Sequence, residues 1–355
     1  MPLSIESMVM SSGLVMRQVG LWAGRWAALA VLGCSVAAYG QQGEVATGLV
    51  QTKDVDLSYE VFGGVSSATP VIAVNGGPGL SHVYMLQNNV WARLAKKRQV
   101  VFYDQRGTGE STRVAEGAAQ GMEAQVADLE AVRAGLGFEK VALVGDSFGG
   151  LVVMAYAAAH PEHVERMVLS DSPGPTWKET VHLLPQVFPD VEEQDAMIDG
   201  KQPEPNAAAL RKGEAKGATE PLTGESKPVD PKPIDAETAA QEHLRMHFKM
   251  IFYSEAKRDA YLAGAKDLGY NPKVGDAVSA ATEKIDLTAA VGKFEFPVLV
   301  ITGRYDMNVA PLTAWKMYKE IPGAKLAIFE RSGHLPSYEE PDKYVQVLDT
   351  FLSSK

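Results

Sequence analysis

Six short segments are apolar at nearly every position, and this restricts the fold more than any other feature of the chain. They are TPVIAVN (Thr69 to Asn75), RQVVFYD (Arg98 to Asp104), KVALVG (Lys140 to Gly145), ERMVLSD (Glu165 to Asp171), FPVLVIT (Phe296 to Thr302) and KLAIFE (Lys325 to Glu330). A strand with one wet face alternates polar and apolar residues. Strands without alternation are covered on both faces and belong to a parallel sheet packed between helices. Helix-like segments lie between them. GMEAQVADLEAVRAGLG (Gly121 to Gly137) sets Met122, Val126, Leu129 and Val132 near helical spacing and stops at Gly137. The pattern predicts an α/β fold with a mostly parallel, doubly wound sheet. GLVQTKDVDLSYEVFG, ahead of the first run, alternates more loosely and predicts an antiparallel hairpin at the sheet edge.

The alternation stops between Ser172 and Lys293. TWKETVHLLPQVFPDVEEQDAMI and AETAAQEHLRMHFKMIFYSEAKRDAYLAGA read as helices, without a strand pattern. Between them Asp199 to Asp235 is rich in Pro, Lys, Glu and Ala and poor in large apolar residues, a composition that does not offset the entropy of ordering and predicts a flexible loop. The expected organisation is a core of residues 41–171 and 293–355 with an inserted helical cap, or lid, at 172–292.

Residues 1–40 read as a signal peptide. Arg17 and Arg25 precede an apolar run from Trp26 to Ala38, small residues follow at Ala38 and Gly40, and cleavage is expected before Gln41. The stretch before Met16 carries only Glu6 as charge and is expected to be untranslated sequence upstream of the true start. Export to the periplasm or medium follows as an expectation. An alternative takes VLGC as a lipoprotein signal acylated at Cys34, although Leu32 is larger than is usual there. Cys34 is the single cysteine, so its removal leaves neither a disulfide nor a thiol catalyst. Cleavage leaves 32 basic against 43 acidic residues, a charge near −11. That balance, without a lysine and arginine run, argues against a nucleic-acid partner. No apolar stretch downstream is long enough to span a membrane.

The chemistry centres on KVALVGDSFGGLVV, where Asp146 and Ser147 are adjacent candidate nucleophiles. A G-x-S-x-G frame arises by chance in about one chain in six of this composition, so its place decides. GDSFG closes an apolar strand and opens the small-residue helix GLVVMAYAAAH. This is the strand, sharp turn and helix context in which the central serine protrudes above the sheet. Framed on Ser147, the residues two away are Gly145 and Gly149; framed on Asp146 they are the bulky Val144 and Phe148. Ser147 fits the turn. Asp306, in the loop after one strand, and His334, in the loop after the next, complete the order expected of a Ser-Asp-His triad. Asp171, also after a strand, is the second candidate acid. Oxyanion donors are expected from the amide of Phe148 and from NGGPG, with Gly77 chosen because Pro78 closes its turn. His243 and His247 are four apart on one helical face, but no glutamate follows His243 as in a zinc-protease helix and no third ligand is evident. No metal and no cofactor is expected.

NGGPG, YDQRGTGES (Tyr103 to Ser111), GDSFGG, GRYD and SGH together resemble the α/β-hydrolase superfamily, in particular the proline iminopeptidase family of serine aminopeptidases. The resemblance implies release of an N-terminal residue from a small-molecule or short-peptide substrate. It also implies acidic cap residues that read the free amino group, for which Glu179, Glu192, Glu242 and Glu255 are candidates. Two positions depart from the family: Asn75 stands where histidine is usual, and Phe148 where tryptophan is usual. The other readings are an esterase or lactonase on the same scaffold, and a hydrolase-like fold used as a ligand receptor.

Overall fold

The computed structural model describes residues 45–183, 187, 246–248, 250–265 and 268–354 of the 355-residue chain. The expected signal segment with Cys34, the loop at 199–235, Glu192, Glu242 and His243 lie outside the described residues.

The sheet has eight strands: β1 (Val45–Gln51), β2 (Asp56–Phe62), β3 (Val71–Val74), β4 (Val100–Tyr103), β5 (Val141–Asp146), β6 (Val164–Ser170), β7 (Val298–Gly303) and β8 (Lys325–Phe329). Their spatial order is β1-β2-β4-β3-β5-β6-β7-β8. β1 and β2 form the antiparallel hairpin at one edge, β2 meets β4 antiparallel, and every pairing from β4 through β8 is parallel. The helices are α1 (Val90–Leu94), α2 (Met122–Gly135), α3 (Phe148–Ala159), α4 (Glu255–Gly264), α5 (Pro272–Thr282), α6 (Thr288–Val291), α7 (Pro311–Glu320), α8 (Pro336–Glu339) and α9 (Pro341–Ser353), among the described residues.

The central strands are apolar throughout because each feeds two cores. Ile72, Val74, Val101, Leu143 and Val300 enter the cluster that includes Leu129 of α2 and Leu151 of α3. Val71, Ala73, Phe102, Val144 and Ile301 enter the opposite cluster with Trp91 of α1 and Leu348 of α9. The period of two survives as a choice of core instead of a choice between core and water. β8 departs from the expectation. As the far edge strand it leaves Lys325 and Ile328 exposed.

Two expected helices are interrupted, for backbone reasons. After the short turn Trp177–Glu179, the chain runs as a strap along the loop that follows β7. The Val181 amide donates to Thr313 Oγ1, the Leu183 amide to the Met307 carbonyl, and the Ala310 amide to the Val181 carbonyl. Thr176 also forms an isolated antiparallel bridge with Asp286. Further on, the helix expected to run to Ala265 breaks at residues 251–254 and restarts as α4, capped by Ser254. There the Tyr253 and Ser254 amides donate to the carboxylate of Glu339. Backbone groups satisfied by a distant partner are lost to the local helix.

Arg106, in the YDQRG segment after β4, is fixed by a buried pair. Its Nε and Nη2 donate to the two oxygens of Asp128 on α2, both at 2.7 Å, and Nη1 donates to the Ala119 carbonyl at 2.6 Å. Both side chains are nearly sealed from solvent. Arg106→Met strands the Asp128 carboxylate and is expected to cost about 3–5 kcal/mol, read as a lowered denaturation midpoint. Adding Asp128→Leu is expected to restore much of that loss.

Candidate active site

Ser147 sits between β5 and α3 at φ 49°, ψ −126°, outside the conformations that non-glycine residues ordinarily adopt. The neighbouring glycines explain how the turn closes. A Cβ on Gly145 would lie 2.6 Å from the Gly149 carbonyl oxygen and the Gly150 Cα, and a Cβ on Gly149 would strike the Val74 carbonyl. The Ser147 amide donates to the Ser170 carbonyl at 2.9 Å, and its own carbonyl accepts from Gly150 at 2.8 Å. The serine therefore stands at the C-terminal ends of the parallel strands, where ligands of open α/β sheets bind.

His334 lies against it. Nε2 is 2.9 Å from Ser147 Oγ, and Nδ1 is 2.7 Å from Asp306 Oδ2. Because a carboxylate only accepts, the Nδ1 proton points to Asp306 and the Nε2 lone pair faces the serine. Asp306 is fully buried, and its other oxygen accepts the Asn308 and Val309 amides, each at 2.9 Å. Gly303 is required where the acid loop passes the histidine loop: a Cβ there would strike the Gly333 carbonyl. The second candidate acid is close as well. One ligand-type atom each from Asp171, Asp306 and His334 falls within 4.8 Å of the others.

Of the two expected oxyanion donors, neither the Gly77 nor the Phe148 amide donates to a protein acceptor among the described residues. Gly76, however, is the glycine that abuts Ser147. A Cβ on it would lie 2.7 Å from Ser147 Cβ, and its amide donates to Tyr84 Oη at 2.6 Å. Tyr84 Oη in turn donates to Asp146 Oδ2. Asp146 thus faces a buried tyrosine and ties the NGGPG loop to the turn at Ser147. Asn75, in place of histidine, donates from Nδ2 to the Gly76 and Leu80 carbonyls at 3.0 and 2.7 Å.

Three residues without a recognisable sequence signal complete the surroundings. Tyr84 is one. Asn308 places Nδ2 3.2 Å from His334 Nε2. Glu339, fully buried, accepts the Gly333 amide on the same carboxylate that holds Tyr253 and Ser254, while the His334 amide donates to the Ile251 carbonyl at 2.7 Å. The histidine loop is thereby bonded to the segment leading into α4. His247, on that segment, is pushed down to about 4 by burial and then by the charge of His334, so it is neutral at ordinary pH. Glu255 is exposed at the start of α4, and Glu179 faces Glu320.

Burial sets most of the electrostatics. It would depress the His334 imidazole, but the charge and hydrogen bond of Asp306, with the charge of Asp146, leave it above its ordinary value. Burial pushes Asp146 up to about 6 against the Tyr84 hydrogen bond.

A family model described as alpha/beta hydrolase fold matches residues 69–341. Among curated proteins the chain is similar to a proline iminopeptidase of Lactobacillus delbrueckii subsp. bulgaricus, 28% identical over 306 residues that cover 83% of this chain and 93% of the relative. It is also similar to a proline iminopeptidase of Saccharolobus solfataricus, 26% identical over 312 residues, covering 84% and 89%. Among solved structures, an esterase from a Rhodococcus species superposes with a TM-score of 0.65 at 22% identity, covering 87% of this chain and 98% of that one. The enol-lactonase of Burkholderia xenovorans gives 0.55 at 19%, covering 84% and 97%. At these identities the structural likeness speaks for the fold alone.

Tyr84→Phe removes the hydroxyl that joins Gly76 to Asp146 and leaves both partners buried without it. The expected cost is about 1–3 kcal/mol of stability. A fall of about 10²-fold in kcat is also expected from the displaced loop, measured by steady-state kinetics beside thermal unfolding.

Proposed function

The chain belongs to the α/β-hydrolase fold family, and from that premise we propose that it is an exported serine hydrolase, an aminopeptidase that releases N-terminal residues from short peptides. The observation that carries the reading is the imidazole of His334 held between Ser147 Oγ at 2.9 Å and Asp306 Oδ2 at 2.7 Å. His334 Nε2 takes the Ser147 proton as Oγ attacks the acyl carbon. The oxyanion meets the Phe148 and Gly77 amides. The imidazolium, oriented and stabilised by Asp306, passes its proton to the departing amine, and water then hydrolyses the acyl-enzyme by the same route. The peptidase assignment is supported by NGGPG and DQRGTGES and by similarity to the two proline iminopeptidases. The interval 172–292 acts as the cap in this reading, and residues 1–40 as the export signal.

A second reading, esterase or lactonase, is favoured by Asn75 and Phe148 standing where the peptidase family has histidine and tryptophan. A panel of free prolyl and alanyl anilides, their N-acetylated forms and short-chain nitrophenyl esters separates the readings. Cleavage of free but not blocked anilides is expected; turnover of esters alone moves the assignment to the second reading. Binding with scarcely any turnover would indicate a receptor. Mass spectrometry of the native protein is expected to find Gln41 as its first residue.

Ser147→Ala is expected to lower kcat by about four powers of ten or more, and near-normal turnover would refute the mechanism. The base works only when neutral, and His334 is held above its ordinary value of 6.5. Activity is therefore full at alkaline pH and lost as pH falls through the raised value. The acid limb of kcat/KM is expected to inflect above 6.5.

A further inference from the structure

The reaction above uses one carboxylate, yet the site holds another. At the end of β6 the chain reaches Asp171 at φ 48°, in the left-handed region, with its amide donating to the Ile301 carbonyl at 2.9 Å. This bend keeps the side chain inside, where it is about 1% exposed. Oδ1 accepts the amide of Gly303 at 2.9 Å, three residues before Asp306, and Oδ2 accepts from Ser170 Oγ at 3.1 Å. With Asp306 also sealed, the two carboxyl groups and the imidazole of His334 share one dry corner within 4.8 Å.

A like charge so close makes it costlier for Asp171 to ionise. Asp306 accepts two amides and the imidazole N–H, whereas Asp171 accepts one amide and one hydroxyl. Burial first, then the charges of Asp306 and Asp146, push the Asp171 carboxyl well above the usual carboxylate range. The groups facing it are Asp306, Asp146, His334 and the Tyr344 hydroxyl on α9.

We propose that Asp171 is a positioning residue of the site: packed beside Asp306 in the native protein, it becomes the acceptor for His334 Nδ1–H when the Asp306 carboxylate is removed. This deepens the serine-hydrolase reading and rests on it. The step balances without a co-reactant. Loss of the neighbouring charge lets Asp171 release its proton to solvent, and the resulting carboxylate accepts the imidazole N–H. A carboxylate oxygen of Asp171 and a ring nitrogen of His334 already lie within 4.8 Å of one another, and Asp306→Ala removes the carboxylate beside them.

The test uses Asp306→Asn and Asp306→Ala, each alone and combined with Asp171→Asn, assayed on p-nitrophenyl butyrate and on the anilide the protein cleaves best, with thermal unfolding confirming folded protein. Removing the orienting acid of such a triad ordinarily costs about 10⁴-fold in kcat. The expected loss in the single variants is about 10²- to 10³-fold, with the residual activity rising toward alkaline pH as Asp171 ionises. Adding Asp171→Asn is expected to remove a further tenfold or more and to abolish that rise. Equal activity and equal pH profiles in the single and double variants, both folded, would overturn the proposal. So would loss of wild-type activity on dialysis against a chelator with recovery on adding zinc, which would make the three side chains a metal centre. Ser147→Ala runs alongside: if it keeps activity, the serine mechanism itself fails, a result distinct from equal activities in a background that still depends on Ser147.

Discussion

Everything at this site depends on a turn that admits no Cβ two residues to either side of Ser147. Gly145 is pressed against the backbone of Gly149 and Gly150, and Gly149 against the end of β3. With both flanks bare, the serine can be held at φ 49° by the start of α3 and by the Ser170 carbonyl. The strain stays local because two fully buried strands and a buried helix over-determine the turn. The oxygen is thus fixed before any substrate arrives, and the two loops from β7 and β8 need only meet it.

Those loops meet it because parallel strands deliver successive C-terminal ends to one edge of the sheet. Ser147, Asp171, Asp306 and His334 follow β5, β6, β7 and β8, which are consecutive neighbours. The same geometry crowds acids together. Asp146, Asp171 and Asp306 are all buried within reach of one another's fields, and each has a different outlet: a tyrosine hydroxyl, a glycine amide with a serine, and an imidazole.

The strands were legible because burial on both faces leaves a compositional trace, and the order Ser147, Asp306, His334 because each follows a strand that the trace reveals. The frame of glycines likewise distinguished Ser147 from Asp146. Tyr84 and Glu339 had no such trace. Each acts across a long stretch of chain, 62 residues from Tyr84 to Asp146 and 85 from Ser254 to Glu339, and no local pattern encodes a partner so distant. The same carboxylate explains why a continuous helix was read across residues 251–254: side-chain periodicity persists there while the backbone amides are committed elsewhere. Among the expected oxyanion positions, Gly77 follows from turn chemistry alone, and the close approach of Gly76 to Ser147 arises only from the packing of two loops.

The clamp at Glu339 has a consequence for how such a protein changes over time. Its carboxylate grips the amide before His334 and the amides that lead into α4, and the His334 amide itself leans on Ile251. The segment from Ile251 to Ser254 is therefore tied to the histidine loop. A graft from a relative that kept every side chain of the core but altered the path near Ile251 would move His334 as well. Exchanging side chains on a retained backbone leaves the imidazole where it is, with the segment from Ile251 to Ser254 passed down together with the histidine loop.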